Sequence, residues 1–238
     1  MLFVNHNRDP YLKQLDKIGP HEVWLVDGGH VRKHLEEEFT NYGHGRDPMF
    51  RGKIPMNEFW IEVGSEPEEF PFFIDRMLAE SYYLSKLMPH LKAERESMKV
   101  ENIGRQRARK DRGEYKDNGI NVHILELTYP NLKTKGVKIW LIDGKKVRDH
   151  MDNFFCHGGH SLVYPDYVPA GPPQEIWIDN TAPKNEHDFL LIHELHEYNR
   201  MADGETYKTA HPKASRIEYE CRWSPQEKDK QMRELGLK

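Results

Sequence analysis

Cysteine is almost missing from this chain: Cys156 and Cys221 are the only two in 238 residues. Two thiols cannot build a disulfide framework, so a reducing, cytoplasmic setting is the expectation. Long apolar runs are missing as well, and none approaches the roughly 20 residues needed to span a bilayer. The first residues, Met1 to Arg8, lack the basic start and long apolar core of a secretory leader. There is little excess charge of either sign. A formal net charge of −4 disfavours a generic nucleic-acid binder, although it leaves room for a local basic patch. Hydrophobic residues make up 37% and charged residues 31%, which fits a soluble chain of one or two domains with much surface per residue. Histidine is abundant, at 14 residues, and several of them cluster.

The chain repeats itself. Val23-Trp24-Leu25-Val26-Asp27-Gly28 matches Ile139-Trp140-Leu141-Ile142-Asp143-Gly144, and each is followed by Val-Arg, at Val31-Arg32 and Val147-Arg148. His34 and His150, Phe39 and Phe155, and Gly43-His44 and Gly159-His160 continue the match at an offset of about 116. Further on, Glu58-Phe59-Trp60-Ile61-Glu62 matches Glu175-Ile176-Trp177-Ile178-Asp179. Ile74-Asp75 then pairs with Ile192-His193, and His90-Leu91-Lys92-Ala93 with His211-Pro212-Lys213-Ala214.

Each unit reads as a short apolar strand closed by Asp-Gly, an amphipathic helix, a second Trp strand and a helix pair. The first helix is expected to run from Val31 to Phe39 and from Val147 to Phe155, stopping at Gly158-Gly159. A long helix is expected over 186–202, ending at Gly204, with another opening near Pro212. A further strand is expected ahead of each Trp strand, with alternation clearest over Ile120–Leu127. The fold class is α+β: a tandem duplication of a strand-turn-helix/strand-helix-helix unit forming a pseudo-two-fold single-chain dimer. The divisions are a first repeat over 1–101, a charged connector over 102–118, a second repeat over 119–223 and a C-terminal helical tail over 224–238. The connector carries Arg105, Arg107, Arg109, Lys110 and Arg112, a solvated linker or helix extension in preference to a phosphate-binding run.

The segment with chemical content is His193-Glu194-Leu195-His196-Glu197. On a helix, His193 and Glu197 lie one turn apart on one face and can share a metal ion. Glu194 is displaced about 100° around the same helix. A third ligand is expected from His211, brought back by the turn at Gly204. Glu218 lies two turns beyond His211, about 10 Å along the axis, too far to ligate beside it. Glu218 is therefore expected to support the ligands or stand in for one, and His196 and His160 are assigned the same part. Two histidines and one carboxylate suit catalytic zinc, and also iron or another divalent metal. The competing reading makes these ordinary helix residues, with Glu197 paired to Arg200 or Arg216.

This helix resembles the zincin His-Glu-x-x-His signature, with Glu197 in place of the second histidine. The resemblance covers one helix. It implies a zinc-dependent hydrolase of peptidase or amidase type, with Glu194 as general base and a peptide or amide as substrate. The expected partners exclude membrane and nucleic acid, and the chain is expected as a monomer or homodimer. In the ungapped first repeat His193, Glu194 and Glu197 fall on Asp75, Arg76 and Ala79, so that site is expected to be degenerate. Cys156-His157-Gly158-Gly159-His160 reads as a loop with a structural glycine, or with His160 near the metal. Recurrent Asp27/Asp143 and Arg32/Arg148 are expected to pair and hold the turn to the helix. The alternative to an enzyme is a pseudo-dimeric binding or assembly protein with a structural ion or none.

Overall fold

The structure is a computed structural model, and it describes residues 9–114, 120–169, 171 and 173–238. Met1–Arg8, the connector residues after 114 and Pro172 of the Pro-rich loop lie outside the described residues. The chain divides into two compact units, Met1–Asn118 and Gly119–Lys238. Among the described residues there are two four-stranded sheets and seven α-helices, a mixed α and β architecture.

Unit 1 runs β1 (Tyr11–Ile18), β2 (His21–Val26), α1 (Gly28–His34), β3 (Tyr42–His44), β4 (Glu58–Glu62), α2 (Phe70–Ser85) and α3 (His90–Asp111). Its sheet order is β1-β2-β4-β3. The Trp strands β2 and β4 run parallel with Trp24 opposite Trp60, and antiparallel neighbours flank them. Unit 2 runs β5 (His123–Leu127), β6 (Val137–Ile142), α4 (Gly144–His150), β7 (Gly158–His160), β8 (Gln174–Asp179), α5 (His187–Ala202), α6 (Tyr207–Trp223) and α7 (Pro225–Leu235). Its order is β5-β6-β8-β7, with β6 and β8 parallel and Trp140 opposite Trp177. A strand precedes each Trp strand, as the alternation implied.

Strand periodicity explains the layering. In unit 2, Ile176 and Ile178 face Leu191, Ile192 and Leu195 of α5, while Trp177 packs on the other face with Val147, Phe155 and Val168. A parallel pair covered on both faces needs the near-continuous apolar runs Ile-Trp-Leu-Ile and Ile-Trp-Ile. The tail is part of this core: Ser224 Oγ accepts from the Glu227 N–H, and Met232 and Leu235 of α7 are buried.

Several local expectations need correction. The first helix of each unit is only seven residues long, and Phe39 and Phe155 lie beyond it in the chain, buried under the sheet. Asp27 and Asp143 do not pair with the arginines. Each caps its helix, accepting from His30 N and Lys146 N at 3.0 Å. The arginines turn inward instead, Arg32 to Glu62 at 2.6 Å and Arg148 to Asp179 at 2.5 Å. Helix α6 opens at Tyr207, so Pro212 lies inside it. Ala210, fully buried, and Tyr207, stacked on His211 at 5.0 Å, hold that extra turn.

The helix pairs are tied by buried ions. Arg105, on the stretch expected as connector, is enclosed within α3, and its guanidinium meets Glu69 at 3.0 Å and Glu101 at 2.9 Å. Arg222 does the same in unit 2, reaching Glu186 at 2.7 Å and Glu218 at 2.6 Å. Removing one partner strands buried charge. Arg105→Met is expected to cost about 3–5 kcal/mol in urea unfolding. Lys99→Met, at the exposed pair with Glu96, should leave the midpoint in place. Equal midpoints for both variants would deny the buried cluster its bracing role.

Candidate metal centre

Helices α5 and α6 pack against each other, and α5 rests on β7 and β8. The i, i+4 spacing places His193 and Glu197 on the face of α5 that meets α6, with His193 Nε2 3.6 Å from Glu197 Oε2. The extra N-terminal turn of α6 brings His211 to the same point. Its Nδ1 lies 2.6 Å from Glu197 Oε2 and 3.2 Å from His193 Nε2. His193, Glu197 and His211 therefore converge, each offering a ligand atom within 4.8 Å of the others.

Glu197 is not a surface partner of Arg200 or Arg216. It is 3% exposed and contacts three histidines, while those arginines pair with Glu205 and Glu220. Burial alone would raise its carboxyl pKa. Contacts with His160, His193 and His211 outweigh that and hold it far below the usual range.

Hydrogen bonding sorts the histidines. Glu218 Oε2 sits 3.0 Å from His193 Nδ1, so the ring donates from Nδ1 and keeps the Nε2 lone pair for the cluster. This is the carboxylate–imidazole arrangement that orients a metal ligand. Burial would lower the His193 pKa, but Glu197 and Glu218 outweigh it and raise it well above the ordinary value, so a cation would take the Nε2 lone pair by displacing a proton. Burial would likewise raise Glu218, yet His193 and Arg222 bring it down to about 2. His160 has the opposite tautomer. The Leu162 N–H donates to its Nδ1 at 3.3 Å, so Nε2 carries the proton and donates to Glu197 Oε1 at 3.0 Å. His160 thus supports Glu197 and does not present a lone pair to the cluster.

Glu194 comes close to the cluster from the next position on α5. Its carboxylate groups with His160 and Glu197 and rests against Gly158, where an added Cβ would lie 2.7 Å from Oε1. The glycine of the Cys-His-Gly-Gly-His segment makes room for Glu194. Burial pushes its pKa up to about 7. His196 is turned away: its Nε2 bonds Gln231 of α7 at 2.8 Å, so it takes no part in the cluster.

The register between the units also needs correction. α2 and α5 each have 16 residues, and aligning their starts puts Glu80 opposite Glu197 and Arg76 opposite His193. The buried ions agree, because Arg76 meets Glu101 at 3.3 Å much as His193 meets Glu218. In this register Tyr207, not His211, stands opposite His90.

No family model matches the chain, and neither a curated protein nor a solved structure matches it. Among the described residues, no helix is long and apolar enough to cross a membrane.

Glu218→Gln keeps the shape and removes the charge that orients His193. It is expected to weaken zinc binding about 10–100-fold in competition with a chromogenic chelator. An unchanged affinity would mean that His193 does not depend on Glu218 for its placement.

Proposed function

We propose that unit 2 is a metal-dependent hydrolase centre of zincin character, with His193, Glu197 and His211 as ligands and Glu194 as base. The observation that carries this reading is the convergence of two imidazoles and one carboxylate, with Glu218 behind His193. Donors around an ion bonded at 2.0–2.2 Å stand about 3.3–3.6 Å apart in a tetrahedron. The His193–His211 and His193–Glu197 separations of 3.2 and 3.6 Å are close to that. The 2.6 Å contact between His211 and Glu197 is a hydrogen bond that an ion would open.

When bound, zinc or another divalent cation supplies Lewis acidity toward water and a carbonyl. The chain's own contribution is proton handling and placement. Glu194 takes a proton from the attacking water and returns it to the leaving amine. His160 holds Glu197 so that the carboxylate stays on the ligand side. The side chain of His211, 27% exposed against 3% for Glu197, marks the side on which a peptide or amide would approach.

A second reading, a binding or assembly protein with a structural ion, is favoured by one feature: Glu194 is itself buried, packed against Gly158. The tandem duplication and a cytoplasmic setting belong to the same proposal. The duplication is supported by the shared sheet order and by the equivalent ion clusters at Arg105 and Arg222. The cytoplasmic setting is supported by Cys156 and Cys221 forming no disulfide.

Bound metal per chain and turnover on a mixed peptide and amide library separate the readings. Glu194→Gln is expected to keep the metal and lose hydrolysis, and Glu197→Gln to lose the metal. Metal loss in both variants would make Glu194 a ligand or support. A fully loaded wild type with no turnover would favour the structural ion.

A further inference from the structure

We propose that unit 1 binds a divalent transition-metal cation of its own, through Asp47, Glu80 and His90, with His44 set against Glu80. This goes beyond the unit 2 centre and stands on different residues.

Glu80 occupies on α2 the position that Glu197 holds on α5, and His44 ends β3 as His160 ends β7. Arg76 fills the place of His193, and a guanidinium has no lone pair to offer. The remaining donors come from other elements. His90 opens α3, and Asp47 precedes the short turn Pro48–Phe50, whose Met49 N–H it accepts at 2.9 Å. One ligand atom from each of Asp47, Glu80 and His90 lies within 4.8 Å of the other two.

The separations have a particular value. His90 Nε2 is 3.3 Å from Asp47 Oδ1 and 3.6 Å from Glu80 Oε1, and His44 Nε2 is 3.5 Å from Glu80 Oε2. Charge-assisted hydrogen bonds between such groups are about 2.7–2.9 Å. The two His90 separations are instead those between donors around a cation bonded at about 2.0–2.2 Å, and His44 stands at the other oxygen of Glu80.

His44 is an independent sign. It is 2% exposed, and both ring nitrogens are buried without a hydrogen-bond partner. Buried imidazoles normally find partners, because desolvating them otherwise is unfavourable. His160 has its Nδ1 satisfied by Leu162, whereas His44 has a free nitrogen aimed at Glu80. A cation at this point would neutralise two carboxylates at once, leaving the second oxygen of Glu80 to face His44. One imidazole nitrogen and two carboxylate oxygens suit zinc, iron(II) or manganese better than copper(I). His90 also lines a cleft of about 360 Å³, together with Arg46, Arg51, Leu84 and Met88, so one member of the group faces open space.

The test is zinc stoichiometry of the full chain, stripped with chelator and titrated calorimetrically, with circular dichroism and unfolding midpoints as fold controls. The expected values are two ions for wild type, one for Glu80→Gln, one for Glu197→Gln and none for the double variant. His90→Gln, at a partly exposed position, should also lose one ion and carries the test if Glu80→Gln fails to fold. If wild type binds one ion that His90→Gln abolishes, the unit 2 reading fails and this one stands. A Glu197→Gln chain that binds no zinc, or a folded His90→Gln chain with wild-type stoichiometry, overturns it.

Discussion

A carboxylate enclosed between two helices needs a cationic or donor group on each oxygen, because the desolvation cost of a bare buried charge is several kcal/mol. Each unit is organised around one such carboxylate. Glu101 has Arg105 on one oxygen and Arg76 on the other, and Glu218 has Arg222 on one and His193 on the other. The arginine in each case reaches on to the residue that precedes the first helix of the pair, Glu69 or Glu186. It also lies over an aromatic ring of that helix, Phe72 at 4.7 Å or Phe189 at 4.5 Å. The junction ties the two helices of each pair and, in unit 2, positions the His193 ring.

The difference between the units then rests largely on one position. Arg76 gives Glu101 a permanent cation and closes the junction electrostatically. His193 gives Glu218 a donor from Nδ1 and turns its second nitrogen toward Glu197 and His211. The same support that braces one helix pair thereby orients the His193 ring in the other. His160, capped by the Leu162 N–H, and Gly158, which leaves space for Glu194, extend the support to the strand side.

Features that depend on local periodicity were legible in the sequence. The Trp strands, the i, i+4 pair His193–Glu197 and the turn that returns His211 all follow from spacing. The helical rise keeps Glu218 out of the midst of the cluster, and in the structure it bonds the far side of His193. Register was harder. Matching His90 to His211 slips α3 against α6 by four residues, about one helical turn, which leaves much of the same face showing. Identity alone cannot expose such a slip, whereas the buried partners of Arg105 and Arg222 do. His196 has the same residue type as a ligand, but only the packing of α7 shows that it turns toward Gln231. The grouping of Asp47, Glu80 and His90 brings together a loop and two helices, and no local pattern announces it.

His193, Glu197 and His211 are proposed to hold one ion between them. Zinc-edge X-ray absorption on the Glu80→Gln chain, loaded with a single equivalent, tests it with least interference from unit 1. The account predicts a nitrogen and oxygen shell at about 2.0–2.2 Å with outer scattering from two imidazoles, one of which is lost in His211→Gln. An all-oxygen shell, or two imidazoles that persist when His211 is replaced, would contradict it.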